Sequence, residues 1–586
     1  MPPETYPPAE STGSTTSRWH RRLDLLQHGA WLCAALVFGL AVITLTQSRL
    51  SYGVDFTDES FYIALPYRFA MGDLPLRDEQ NLAQFAGLLT FPLVKAYMWA
   101  THGLDGLVLF MRHMHLLFTA VVAAVVYAAA RTFVPRADAI VAACLCMAFV
   151  PFTIHGLSYN TLGCGLLTAA LFLAARDRDQ ERVPLWFCIG LLQALAALVY
   201  QTLFLGALVF VAINFAGPIR NARYQGLLAY VAGALLVVAS VASLVVVAGV
   251  ESIPAIGRYL AGFHMQGGGA AKLLHVTADF ATRTPRLFAL LLTGAALVIL
   301  KRRNPASTAP AALVLPALLY RDYVNANGSV SLYLVTAIAC IAPFIQDLVD
   351  RRAQAAALMR TVWWPSMACG LVTAWSSSNG AMNASIGAFP AAVCSMVLLQ
   401  MFWAQQGSAS FLRTTVARAM ALGTPAMLVA ALLAGDHADY YGEKVQRPGL
   451  TQQVLTGPYR GLVTTPEKYR QLEEVRTRIV PLLAQGDRAL VFDGLPGGYL
   501  LLGLPVGANS VWLPPAAATA DRTTTLDYWR TRKAATVAFV TPQAAATGDP
   551  LLRALADRQF APAASVELGT LLRRPNAGAA QDSSRR

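Results

Sequence analysis

Asp55, Asp58 and Glu59 form an acidic run between an apolar stretch, Gly29 to Gln47, and an aromatic-rich one, Ser60 to Met71, that reads as a helix lying along an interface. Carboxylates at a membrane surface are costly unless they are used. If the chain after Thr57 is helical, Asp58 and Tyr62 share one face with Asp55 just upstream, and Glu59 is turned about 100° away. A carboxylate so placed can act as a general base, taking a proton from an acceptor hydroxyl or amine. Asp58 also has the type and position of a helix cap, so both readings stand. A second pair, Asp78 and Glu79, heads the next apolar segment, and a cap does not account for it. Oxygen ligands from Asp55, Asp58 and Glu59 would suit magnesium or manganese; no His is spaced to join them, so zinc fits less well.

The elements that must hold these residues are mostly membrane. Of 586 residues, 55% are hydrophobic and 13% charged, and the mean hydropathy is +0.47, which together specify a polytopic membrane protein, mainly α. At roughly 20 apolar residues per span, thirteen transmembrane helices are expected, near 29-47, 108-130, 138-152, 157-175, 184-201, 203-216, 225-249, 286-300, 309-320, 330-347, 358-375, 380-402 and 414-434. The segment Leu82 to Ala100 contains Pro92 and Lys95 and reads as a juxtamembrane or re-entrant helix.

The net charge of +13 does not point to nucleic acid, because the basic residues cluster at span ends. Arg18, Arg21 and Arg22 precede the first span, Arg131 and Arg136 follow the second, and later clusters fall on even-numbered loops. The positive-inside rule then places the N-terminus in the cytoplasm, and the first loop, 48-107, and the C-terminal domain outside the cytoplasmic membrane. The eight cysteines all lie in expected spans, so neither a disulfide framework nor a zinc site is implied.

Four regions follow: a disordered cytoplasmic tail, 1-28; a transmembrane domain, 29-434; a soluble extracytoplasmic α/β domain, 435-575; and a disordered tail, 576-586. In the soluble part, Thr465 and Pro466 open a helix that runs to Gly486. Strand-like runs follow at Ala489 to Phe492, Ser510 to Leu513, Thr536 to Val540 and Ser565 to Leu568. The turn from Gly494 to Gly498 lacks the dinucleotide pattern and the P-loop Lys, and an ordinary strand-to-helix turn accounts for it better than a phosphate cradle.

Several cations lie on the expected outer side. Arg112 and His115 are three apart at the head of the second span, Arg321 closes the ninth beside Asp322 and Tyr323, and His155, Tyr159 and Asn160 lie in a loop between spans. They could neutralise a leaving phosphate or bind sugar hydroxyls, while most residues of this kind serve as interfacial anchors. Arg112 and Arg321 are the strongest candidates for a binding role.

The string Asp58-Glu59-Ser60-Phe61-Tyr62, then Met71-Gly72-Asp73, the apolar segment to Ala100 and Arg112 opening the next span resemble the GT-C membrane glycosyltransferases that use polyprenyl-phosphate sugars. The resemblance is to the branch of protein O-mannosyltransferases and the lipid A aminoarabinose transferase. Where relatives commonly carry Lys-Pro-Pro, this chain has Asp78-Glu79-Gln80-Asn81. The resemblance implies an inverting transfer from a polyprenyl-phosphate-linked donor to a lipid, glycan or protein acceptor, with Asp58 as base and Glu59 the alternate. Asp55, Tyr62, Asp78, Glu79, Arg112, His115, His155 and Arg321 would bind substrate. No nucleotide cofactor is needed, and a divalent cation, magnesium or manganese, stays open. A transporter or flippase would share the polytopic build but usually shows internal repeats and midplane charges, and no repeat is evident; a non-catalytic envelope-assembly protein is the third class.

Overall fold

A computed structural model describes residues 14–177, 182–216, 221–261, 270–283, 285, 330–346, 349–406, 442–443, 445–513 and 522–574, with side chains from residue 29 onward. The chain is mostly helical, with a small sheet in its C-terminal part.

Helix α1 (Ser14–Arg49) leads into the acidic loop. There follow α2 (Asp58–Ala70), α3 (Gln84–Thr101), α4 (Leu107–Ala130), α5 (Arg136–Ala148), α6 (Tyr159–Arg176) and α7 (Val183–Val199). Four helices among the described residues are long and apolar enough to cross a membrane: Gly29–Arg49, Leu107–Ala130, Arg223–Ala248 and Ala381–Phe402. The described residues thus confirm four of the thirteen expected spans. The run expected at 138-152 is α5, only 13 residues; at 1.5 Å per residue that reaches about 20 Å against a hydrocarbon core of about 30 Å. It stops because Pro151 cannot donate to the helix ladder. The expected spans at 286-300, 309-320 and 414-434 lie outside the described residues, as does the 434/435 boundary. Leu82 to Ala100 forms α3, which packs mainly on α2 and is not among the four long apolar helices.

Two of the four spans behave differently. Ala381–Phe402 is 83% buried and forms the centre of the bundle, with Ala391, Ala392, Val393, Cys394, Val397 and Leu398 in the core. Arg223–Ala248 is 17% buried and presents Leu228, Leu235, Leu236, Val238, Val246 and Val247 outward, which is how a lipid-facing helix looks. It packs on α7 through facing glycines, since a Cβ on Gly190 or Gly233 would overlap the other helix's backbone carbonyl.

The C-terminal part holds a two-stranded ribbon, β1 (Gln452–Gln453) with β2 (Val463–Thr464), and a four-stranded sheet ordered β3-β4-β6-β5. Strands β3 (Ala489–Val491) and β4 (Val537–Val540) are parallel; β5 (Ala561–Val566) and β6 (Gly569–Arg573) complete it antiparallel. The Thr465 side chain accepts from the Lys468 amide, capping Pro466–Glu474, and the helix runs on as a π turn and a 3-10 turn to Leu482. Ser510 to Leu513 is not a strand, because the Val511 amide is spent on Glu79.

Candidate active site at the first loop

The three carboxylates have different fates. Asp55 is buried and closes the start of α2 from outside: one oxygen accepts from the Thr57 amide at 3.0 Å and its hydroxyl at 2.6 Å, the other from the Glu59 amide at 2.7 Å. The cap is therefore Asp55, and Asp58 is the first residue of the helix proper. Glu59 is buried against Arg112 in a bidentate pair, Nε to Oε1 at 2.6 Å and Nη2 to Oε2 at 2.7 Å. Burial pushes the Glu59 carboxyl above the usual carboxylate range, and the Arg112 guanidinium pulls against it. Asp58 alone of the three is half-exposed.

Arg112 has no donor left to give. Beyond Glu59 it donates to the carbonyls of Leu50 at 2.6 Å, Tyr52 at 2.9 Å and Gly53 at 2.8 Å, which uses all five guanidinium N–H groups. The expected phosphate clamp is thus a staple that fixes the turn after the first span onto α2. For the same reason the divalent-cation site does not fit: Asp55 and Glu59 turn their oxygens to named protein donors, and no group of three or more His, Cys, Asp or Glu converges among the described residues.

The face of α2 that carries Asp58 meets an aromatic wall. Tyr62 packs edge-on against Tyr159 at 5.6 Å, and Tyr159 against Tyr200 at 5.3 Å. The Asn383 amide then donates to the Tyr200 hydroxyl at 3.3 Å and to Ser377 at 2.6 Å. Tyr159 lies within electrostatic reach of Asp58. Tyr159 and Asn160 come from the polar stretch read from the sequence and open α6; Tyr200 does not, since a single Tyr at the end of an apolar run gives no signal.

His115 and His155 come together, with ring centroids 6.4 Å apart and each Nδ1 without a hydrogen-bond partner. Burial, with Arg49, His115 and Arg112 nearby, holds His155 well below its ordinary value, so it is neutral at physiological pH. His115 faces a small cavity otherwise lined largely by Phe118, Val122, Phe149 and Cys164. Arg321 lies outside the described residues.

Asp78 and Glu79 belong to a different place. Buried Arg68 donates to Asp73 at 2.9 Å, to Glu79 at 3.0 Å and to the Ala508 carbonyl at 2.6 Å. Glu79 also accepts from the Val511 amide at 3.0 Å, and Asp78 from Tyr528 and Lys533, both at 3.2 Å. Burial pushes the Asp78 carboxyl up, but the Leu74 amide, Arg68 and Lys533 together hold it below the usual carboxylate range. This pair clasps the C-terminal part rather than a substrate, which corrects the expectation for both residues. The sequence reading missed Arg68, Lys533 and Tyr528, whose signal is invisible until the chain folds back.

The C-terminal part also grips the first loop. Glu443 accepts from the Val54 amide at 2.7 Å, and Lys468 donates to the carbonyls of Val54 and Gly442. Tyr459 and Ser60 bring their hydroxyls within 2.6 Å. The Gly497 amide donates to Phe56 at 2.9 Å; a Cβ there would come 2.6 Å from the Tyr459 hydroxyl and 3.0 Å from the Phe56 Cα. The glycine turn is therefore a docking surface for the acidic loop, and its small residues allow that approach.

No family model and no curated protein matches the chain. Among solved structures it is similar to the oligosaccharyltransferase of Archaeoglobus fulgidus tethered with an acceptor peptide, at 11% identity and a TM-score of 0.45 over 87% of this chain and 68% of that one. It is similar also to the archaeal oligosaccharyltransferase AglB from Archaeoglobus fulgidus in complex with an inhibitory peptide and a dolichol-phosphate, at 10% identity and 0.44 over 87% and 69%.

Proposed function

We propose that this membrane protein is a glycosyltransferase that moves a sugar from a polyprenyl-phosphate donor to an acceptor on the outer side of the cytoplasmic membrane, by a single inverting displacement with Asp58 as general base. The observation that carries the reading is the division of labour among three neighbouring carboxylates. Asp55 and Glu59 are buried and committed to Thr57 and Arg112, which sets the start of α2 rigidly, while Asp58 stands half-exposed beside an aromatic wall. A site of this kind needs one carboxylate held in place by others.

In the proposed step the acceptor hydroxyl loses its proton to Asp58 as its oxygen bonds to the anomeric carbon. The bond from that carbon to the phosphate oxygen breaks, and the phosphate leaves with the electron pair. Tyr62, Tyr159 and Tyr200 line the approach and exclude water from one side. Arg112 supports Glu59 and the loop, and takes no part in holding the phosphate.

The test is transfer of label by the purified protein from radiolabelled polyprenyl-phosphate sugars to membrane extracts. The wild-type chain transfers label, and Asp58→Asn loses about 10²–10⁴-fold in rate with its melting temperature unchanged. Retention of transfer by Asp58→Asn sinks the assignment, whereas label appearing across a vesicle membrane without covalent transfer favours a flippase.

A further inference from the structure

The turn between α2 and α3 presents a cation that the protein leaves unmatched. Arg77 is half-buried, and among the described residues its guanidinium makes no hydrogen bond and no ion pair. The turn is built to hold it there. Leu76, just before it, has φ at +64°, a left-handed conformation that costs free energy for a residue with a Cβ. The Leu76 amide donates to Gln84 Oε1 at 2.6 Å, and its buried side chain packs with Phe85 and with Ala248, the last residue of the helix Asn221–Ala248. A positive charge held partly out of water is costly until an anion meets it.

The carboxylates nearby are committed to other partners. Glu251 stands within electrostatic reach of Arg77, but its carboxylate folds over Gly249 and accepts from Arg532 at 3.1 Å. Asp527 faces both Arg258 and Arg530, each at 3.4 Å. Two carboxylates thus serve four guanidiniums where the helix Ser252–Ala261 meets the helix Thr523–Thr531. This basic surface borders on lipid-facing surface. Val246 and Val247 at the end of the span Arg223–Ala248 are more than half exposed, and so are Val250 and Ile253 beyond the Gly249 turn, while Ile256 packs back onto the Leu76 cluster. An amphiphile with an anionic head and hydrocarbon tails matches both: a phosphate takes the guanidinium fork in two charge-assisted hydrogen bonds, and acyl chains lie on the valines.

We propose that Arg77 and Arg532 bind the phosphate of an anionic phospholipid, in the leaflet reached by the C-terminal end of the span Arg223–Ala248. The proposal rests on the chain spanning a membrane and not on the glycosyltransferase reading. The bound lipid ties the turn between α2 and α3 to the headgroup layer, and with it the C-terminal part that Asp78 and Glu79 clasp.

Native mass spectrometry of the detergent-solubilised full chain tests this, with dioleoylphosphatidylglycerol as the probe, dioleoylphosphatidylcholine as the zwitterionic control and inorganic phosphate as the free anion. The wild type retains phosphatidylglycerol in preference to phosphatidylcholine, and excess inorganic phosphate does not strip it. Arg77→Gln weakens retention about tenfold, the loss of one charge-assisted contact, and Arg532→Gln weakens it too, because Glu251 is then released to pair with Arg77. Arg470→Gln removes an equal charge from an exposed arginine paired with Glu567 and leaves retention unchanged. Unchanged melting profiles show that the variants fold. The site is overturned if phosphatidylglycerol is retained no better than phosphatidylcholine, if Arg77→Gln or Arg532→Gln retains it as the wild type does, if Arg470→Gln weakens it equally, or if inorganic phosphate displaces it.

Discussion

Two acidic clusters lie on either side of α2, and they are built on the same plan to opposite ends. At the head of the helix, buried Arg112 takes Glu59 and three backbone carbonyls, and Asp58 is left half-exposed. At its tail, buried Arg68 takes Asp73 and Glu79, while Lys533 and Tyr528 reach Asp78, and all three carboxylates are buried. In each case a fully sequestered arginine organises a loop. The difference is exposure: Asp58 is half-exposed, whereas Asp73, Asp78 and Glu79 are all buried.

The comparison breaks most sharply in activity. Asp58→Asn costs about 10²–10⁴-fold in transfer, whereas Asp78→Asn leaves the chemical step in place and loosens the contact between residues 72–81 and the C-terminal part, read as protease sensitivity within residues 72–81. Loss of turnover by both, at equal stability, would erase the distinction. The arginines follow: Arg112→Met and Arg68→Met each strand a buried carboxylate and destabilise the fold by about 3–5 kcal/mol, measured by denaturant unfolding of the detergent-solubilised chain. Equal losses confirm the common plan; a small loss at either arginine denies it. Gly497→Ala, which drives a methyl toward Phe56 and Tyr459, costs about 1–3 kcal/mol and lowers activity with it, because it pushes on the loop that carries Asp58.

The smallest effect is one of pH. Asp78 has a folded-state value below the 3.8 of the free side chain, so its contribution is fully present above that value and is lost as pH falls through the folded one. Hydrogen exchange at residues 72–81 therefore rises below about pH 4 in the wild type, and Asp78→Asn abolishes that dependence. A profile unaffected by the substitution assigns the transition elsewhere.

What the sequence disclosed follows from how local each signal is. The Thr465 and Pro466 cap was readable because its partner, the Lys468 amide, is three residues away. Helix α2 was readable as an aromatic-rich helix for the same reason, but not that its residues from Glu59 to Phe69 are buried within the protein. Asp55 as the cap in place of Asp58 was a matter of three residues that composition does not resolve. Asp78 and Glu79 were misread because their partners, Tyr528, Lys533 and Val511, are more than 430 residues distant. Ser510 to Leu513 has strand composition, yet an amide it would need for a ladder is drawn to Glu79 by tertiary structure. The run at 138-152 was read as a span because apolar content does not reveal length: α5 is about 10 Å too short.

The grip on Val54 and Phe56 comes from residues at the far end of the chain, Glu443 at a separation of 389 and Lys468 at 414. A ribosome that has passed Phe402, the end of the last span among the described residues, has still not made the residues that steady the first loop. The newborn chain therefore lacks this hold on its first loop until its last quarter has been made.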